Sequence, residues 1–134
     1  SMGVRHGVLL VVDAESLVLA HIGPQLEHHL LFPDRANISF VTKVGPDRFR
    51  MRVWDRGGGI TFACGSGACA VGVAVSRSGR GARRNEIIME GGSVFIDWQN
   101  DGTLGGRVIM RGPVAYVFDG VLHGDLLALM RAGA

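Results

Sequence analysis

The chemistry in this sequence is concentrated in residues 55–70, where Asp55 and Arg56 precede a glycine-rich turn and Cys64 stands just before Gly65. A cysteine that precedes the first turn of a helix meets unpaired backbone N–H groups and the positive end of the helix dipole. Both favour thiolate, and such settings lower a thiol pKa from about 8.5 to roughly 3.5–7.5. The pattern thus suggests an acid/base cysteine, although the spacing alone allows a small buried side chain equally well.

The residues beside Cys64 are suited to holding an anion. Gly65 and Gly67 lack side chains that would block a carboxylate from the backbone N–H groups of the helix start, and Ser66 lies between them. Asp55 and Arg56 carry the charges needed for a zwitterionic substrate, since a carboxylate accepts an ammonium and a guanidinium binds carboxylate in a fork. A simple ion pair at the end of a strand is the alternative interpretation of these two residues.

The second cysteine, Cys69, lies more than one turn into an apolar segment and is predicted to be part of the core. Two cysteines are too few for a disulfide framework. On one helix, a separation of five residues would place their Cα atoms beyond the ~7 Å limit for bridging. We therefore expect two free thiols, of which only Cys64 is reactive.

Alternating and short apolar segments predict the strands that position these residues. Residues 7–12 and 37–44 have strand length and composition. Residues 48–54 alternate most clearly, with Phe49, Met51 and Val53 on one face and three arginines on the other. Glycine-rich turns separate four further predicted strands, at 86–90, 94–98, 107–110 and 114–118.

Three helices are predicted. Residues 24–31, with Pro24 near the start, and residues 124–131 are expected at the periphery. Residues 65–78 are apolar around the whole circumference, which indicates a helix buried inside the sheet layer. The predicted fold class is α+β, with a mixed, mainly antiparallel sheet curled around this central helix.

Composition limits the class of protein. With 134 residues, 47% hydrophobic and 19% charged, the chain suits one globular domain, which we take as residues 2–134 because Ser1 resembles the remnant of a cleaved tag. A net charge of +2 is too small to imply a nucleic-acid partner, and the arginines between 77 and 84 fit a solvated loop. No apolar run of about 18 residues or signal peptide is present, so no membrane association and a cytoplasmic location are expected.

Two other kinds of site are weaker interpretations. Residues 65–70 fit G-x-G-x-x-A, but a dinucleotide-binding turn needs an apolar parallel strand just before it and a βαβ alternation around it. The histidines do not recur at ligand spacing with carboxylates or thiols, and adjacent His28 and His29 point to different sides of a helix. We expect no metal site.

Three segments together resemble a known family: 37–40 (NISF), 55–57 (DRG) and 63–70 (ACGSGACA). Their order is similar to the C-terminal half of diaminopimelate epimerase, and residues 32–33, 110–113 and 118–120 also fit. The resemblance covers nearly the whole chain. It implies one of two pseudo-symmetric halves with the active site in the cleft between them. The implied reaction interconverts LL- and meso-diaminopimelate, a step toward lysine and peptidoglycan precursors, by two cysteines and without a cofactor.

Site residues are implied by the same resemblance. Cys64 would be the acid/base of this half, and Gly65 and Ser66 would offer backbone N–H groups to the substrate α-carboxylate. Asn37, Asp55 and Arg56 would line the site. His6, and with it Asp55, would influence the pKa of the cysteine pair.

The sequence departs from the family pattern at several places. Asp55 stands where Glu is usual, Ser66 where Thr is usual, Ile60 where Glu is usual, and Val4-Arg5 where Asn-Pro is usual. The exact amino-acid substrate therefore stays open.

The first catalytic cysteine of the family belongs to an N-terminal half that nothing before Cys64 provides. We expect the chain to be inactive alone, with that missing half as its partner. A homodimer that buries the uncovered face is also expected. The alternatives are a non-catalytic module that binds an amino acid or self-associates, and an epimerase of a different amino acid.

Overall fold

The computed structural model describes residues 2–99 and 106–126, which form one sheet and two helices. In chain order the elements are β1 (His6–Leu10), α1 (Leu19–Glu27), β2 (Asn37–Gly45), β3 (Arg48–Asp55), β4 (Gly59–Thr61), α2 (Gly65–Arg77), β5 (Arg84–Met89), β6 (Gly92–Gln99) and β7 (Arg107–Arg111).

The sheet has seven strands in the order β1-β2-β3-β5-β6-β7, with β4 paired to β3. The β1–β2 and β3–β5 pairs are parallel, and the other pairs are antiparallel. Helix α2 contacts β1 at one end of this order and β7 at the other, so the sheet curls around the helix. The predicted α+β class with a mixed, mainly antiparallel, curled sheet is confirmed.

Strand β3 supplies the centre of the core. Phe49, Met51 and Val53 are at most 2% exposed and pack with residues of α2, β5 and β6. The arginines of the opposite face are held by carboxylates: Arg50 pairs with Glu15, and Arg52 with Glu15 and Glu90. The alternation in the sequence therefore predicts the two faces of this strand correctly.

Helix α2 has the predicted position but not the predicted burial. Its glycines and small residues at 67, 68, 71, 72 and 75 are buried against the sheet. The opposite face, formed by Ala70, Val73 and Ala74, is only half-buried. The expectation of burial around the whole circumference is thus wrong, because the curled sheet stops at β1 and β7 and covers one side of the helix.

Helix α1 lies in a second cluster, with Leu19, Ala14, Ala36, Ile38 and Phe40 at its centre. The predicted helix over 24–31 is wrong in its bounds, since α1 spans Leu19–Glu27 and contains Pro24 in its interior. An interior proline costs about 3 kcal/mol because a backbone hydrogen bond is lost. The packing of Leu19, Ile22 and Leu26 on this cluster offsets that cost.

The chain leaves the sheet after Arg111. The predicted strand over 114–118 is absent: residues 112–123 have no regular structure and their side chains are exposed. The physical reason is that no neighbouring strand offers backbone partners to this segment within the described residues. The predicted strand over 7–12 is also shorter and ends at Leu10. Of the predicted helix over 124–131, only residues 124–126 are described, and these are helical.

Neither of the helices in the described ranges is long and apolar enough to cross a membrane.

We expect Gly72→Ala to destabilise the fold by about 1–3 kcal/mol, as overpacking does in a filled core. A Cβ at Gly72 would lie 2.4 Å from Ile96 Cγ2, so the helix and β6 would have to separate. Gly65→Ala is the control, because its Cβ would be 3.4 Å from the flexible end of Met110. Urea unfolding should give a lower midpoint for Gly72→Ala only, and equal midpoints for both variants would contradict this account of the packing.

Candidate active site

Strand topology brings the predicted site residues to one end of the sheet. Strands β1 and β2 run parallel, so that His6 lies opposite Asn37 at the start of both. Strand β3 runs antiparallel to β2, and its end therefore reaches the same place, where Trp54 pairs with Ile38. Helix α2 begins there as well, since the short turn and β4 return the chain from Asp55 to Cys64.

Cys64 is the N-cap residue of α2, with extended backbone angles (φ −143°, ψ 101°). Its Sγ lies 3.6 Å from Ser66 Oγ, and the Asn37 side-chain amide donates to it at 3.8 Å. The backbone N–H of Gly67 also donates to the thiol. A Cβ at Gly67 would lie 3.1 Å from this sulfur and 2.8 Å from Met51 Cε, so a glycine is needed for the close approach.

Burial raises the pKa of the Cys64 thiol. Hydrogen bonds from Ser66 and from the Gly67 N–H lower that pKa, while a hydrogen bond and the charge of Asp55 raise it. The expectation of a lowered pKa from the helix start alone is therefore wrong for this structure. The donors are in place, but desolvation and a neighbouring carboxylate outweigh them.

Asp55 and His6 are buried polar groups beside this thiol. Thr61 donates its hydroxyl to Asp55 Oδ2 at 2.6 Å. Asp55 Oδ1 and both ring nitrogens of His6 are buried and have no hydrogen-bond partner among the described residues. Burial lowers the pKa of His6, and the charge of Asp55 opposes this. The unpartnered atoms are free to bind a ligand.

Arg56 and Asn37 hold the turn against β2. The backbone N–H of Arg56 donates to Asn37 Oδ1 at 2.9 Å, so Asn37 links this turn to Cys64 through its two amide atoms. The Arg56 guanidinium is exposed and donates to the carbonyl of Asp34 at 3.2 Å. Arg56 thus lies at the rim of the site, whereas the groups around the thiol are Asn37, Asp55 and Ser66.

Two residues that sequence reasoning missed also position this turn. Thr61 fixes Asp55 as described, and Glu27 is a buried carboxylate at the end of α1. Glu27 accepts the Trp54 indole N–H at 2.7 Å and the Gly57 N–H at 3.2 Å, which lie on either side of residues 55–56. A glutamate at the end of a short helix gives no local signal of such a role, because both partners lie far along the chain.

Cys69 lies on α2 and packs against the core cluster with part of its surface exposed. Burial, and then the neighbouring Cys64, raise the pKa of its thiol, with no opposing hydrogen bond. Both cysteines are free, as predicted.

The alternative sites gain no support. The strand before residues 65–70 is β4, which has three residues and pairs antiparallel, whereas a dinucleotide-binding turn follows a parallel strand. Among residues 2–99 and 106–126, no group of three or more His, Cys, Asp or Glu side chains is arranged to hold a metal ion.

The contacts of Cys64 predict opposite effects for two substitutions. Asp55→Asn removes a carboxylate that raises the thiol pKa and should speed alkylation of Cys64 at neutral pH. Ser66→Ala removes a donor that lowers the pKa and should slow it. The measurement is the rate of iodoacetamide modification against pH, with Cys69→Ala as background. Equal pH profiles for the two variants would contradict these assignments.

Glu27 should make stability depend on pH. Hydrogen bonds, first from Trp54 and then from Gly57, hold the pKa of Glu27 below its ordinary value of 4.5 despite burial. A lowered folded-state pKa adds stability that is present above the unfolded pKa and is lost as pH falls through the folded value. Glu27→Gln should therefore lose more stability at pH 7 than at acidic pH, measured by urea unfolding. A loss that does not change with pH would count against this role.

Comparison with known proteins identifies relatives over nearly the whole chain. The family profile described as diaminopimelate epimerase matches residues 1–117. The diaminopimelate epimerase of Acidiphilium cryptum is 52% identical over 128 residues, which are 96% of this chain and 45% of that protein. The diaminopimelate epimerase of Bacteroides thetaiotaomicron is 50% identical over 124 residues, or 92% of this chain and 45% of that protein. The chain thus spans about half the length of these relatives.

Solved structures share the fold at low sequence identity. A phenazine biosynthesis protein of the PhzF family from Enterococcus faecalis gives a TM-score of 0.55 at 13% identity, over 70% of this chain and 34% of that one. A PhzC/PhzF protein from Clostridium difficile gives 0.52 at 15% identity, over 69% and 33%. The family profile and the relatives with about 50% identity establish that the chain belongs to the diaminopimelate epimerase family.

Proposed function

We propose that this chain is the half of a diaminopimelate epimerase that carries one of the two acid/base cysteines. The observation that supports this most strongly is the cluster around Cys64, where Asn37, Asp55 and Ser66 meet the thiol at the start of α2. The names of the relatives suggest the substrate, diaminopimelate. In this proposal residues 2–134 form one domain, and a second half of comparable size completes the enzyme.

The roles follow from the chemistry of each group. Cys64 takes or returns the proton on one face of the substrate α-carbon, and needs no cofactor to do so. The backbone N–H groups of Gly65 and Ser66, at the positive end of α2, bind the α-carboxylate. The unpartnered Oδ1 of Asp55 accepts the α-ammonium, and binding this cation offsets the charge that raises the Cys64 pKa.

Asn37, His6 and Arg56 support this arrangement. Asn37 donates to the sulfur and holds the turn that carries Asp55. His6 lies beside Asp55 and influences the protonation of the cysteine, and Arg56 lies at the rim, where it can meet a distal carboxylate. The shorter Asp55 leaves more room than a glutamate would, so another amino acid of similar charge remains the alternative substrate.

Inversion at a tetrahedral carbon needs a proton donor on the face opposite the base. Within the described residues the one other thiol, Cys69, lies further along the same helix and cannot reach that opposite face. The apolar side chains of Ile60, Phe62 and Met110 are exposed around the start of α2 and suit a surface covered by the other half. Free thiols suit a reducing compartment, so a cytoplasmic enzyme is part of the proposal.

The test is reconstitution. The chain alone should show no epimerisation, and addition of the N-terminal half of the Acidiphilium cryptum relative should produce it. Cys64→Ala should then reduce the rate by about 10²–10⁴-fold, while the matched control Cys69→Ala should retain it. Epimerisation by the chain alone would contradict the two-half mechanism. Activity in Cys64→Ala would contradict the site, and binding of diaminopimelate without turnover in the reconstituted protein would favour a non-catalytic module.

A further inference from the structure

The sheet that surrounds α2 is open along one side. Strands β1 and β7 stand at the two ends of the strand order, and both contact α2. No described strand pairs with the outer edge of either. The backbone N–H groups of odd-numbered residues in β1 face β2, as Val11 shows by donating to Val41. The amides of Val8 and Leu10 therefore point to the open side.

Apolar grooves flank the open edge of β1 on both faces of the sheet. The inner groove has a volume of 380 Å³ and lies between β1 and the half-buried face of α2, where Val4, Val8, Val73 and Ala74 line it. The outer groove also has 380 Å³ and is lined by Leu9, Leu26, Leu31 and Phe32. An added strand would place alternate side chains in the two grooves.

The same chain carries a segment that matches such a site. Residues 114–122 follow β7 directly, and Gly112 and Pro113 turn them away from the sheet. Their apolar side chains are almost fully exposed, including Val114 at 99%, Tyr116 at 105%, Val117 at 85% and Phe118 at 86%. Val114, Tyr116 and Phe118 alternate with Ala115 and Val117, which is the spacing of a strand. A folded protein rarely leaves so large an apolar stretch in water.

We propose that two copies of this chain exchange residues 114–122, each segment adding to the open edge of β1 in the other copy. The site and the segment belong to the same chain, so a twofold axis satisfies both at once, as reciprocal exchange in a dimer requires. Main-chain hydrogen bonds to Val8 and Leu10 give affinity, and the two grooves receive the alternate side chains. Arg77 lines the inner groove and suits Asp119 of the incoming segment.

This proposal does not depend on the chemistry at Cys64. It explains why the sequence pattern of 114–118 is that of a strand while the single chain forms none there. A strand needs a ladder partner, and the partner edge is provided by the second copy.

Sedimentation velocity of the full chain over a wide concentration range should give a dimer. Tyr116→Asp and Val117→Asp each add a charge to one face of the segment and should weaken the dimer at least about tenfold. Both side chains are exposed in the single chain, so neither variant should unfold it. Val18→Asp is the matched control, since Val18 is 62% exposed and lines neither groove, and this variant should dimerise normally.

Amide hydrogen exchange tests where the segment binds. The amides of Val8 and Leu10 should be protected in the dimer and exchange fast in Tyr116→Asp, while the amides of β2 stay protected in both. A monomer at every concentration would overturn the proposal, as would a dimer that the two aspartates leave unchanged. Protection of Val8 and Leu10 only after addition of the N-terminal half of a relative would assign the edge to that half and would also overturn it.

Discussion

The close packing of α2 against the concave face of the sheet is the constraint on which the rest of the structure depends. Glycines allow it: at Gly72 even a Cβ would collide with Ile96, and at Gly67 with Met51 and with the sulfur of Cys64. Contact at this distance buries Val71 and Val75 completely. It also fixes the first turn of the helix beside the ends of three strands, and the cysteine at its N-cap therefore has a defined position.

The surroundings of Cys64 oppose each other in their effect on its protonation. Ser66, Asn37 and the Gly67 N–H are donors that favour a thiolate, while burial and Asp55 favour the thiol. In the free chain the second group prevails. A bound ammonium at Asp55 would remove part of this opposition, so that a basic cysteine would form when substrate is present. Such coupling suits an acid/base residue that must both take and return a proton.

Positioning of the site depends on residues outside the motif. Asp55 and Arg56 lie on a turn between β3 and β4 whose Gly57 and Gly59 have positive φ of 73° and 73–78° at most, the region that glycine adopts without strain. Glu27 holds this turn from α1 through Trp54 and Gly57, and Thr61 orients the carboxylate of Asp55. The half of the enzyme that supplies the chemistry is thus rigid before any partner binds.

The amino-acid sequence by itself determined the local features of this protein. The alternation of Phe49, Met51 and Val53, and the start of a helix at Gly65 after Cys64, are dictated by side-chain periodicity and by glycine placement. Only the tertiary structure decided which face of α2 is covered, where α1 begins, and that Asp55 raises the Cys64 pKa. Those outcomes depend on contacts between residues far apart in the chain. Residues 114–118 have a strand pattern but no strand, because a ladder also needs an edge to pair with.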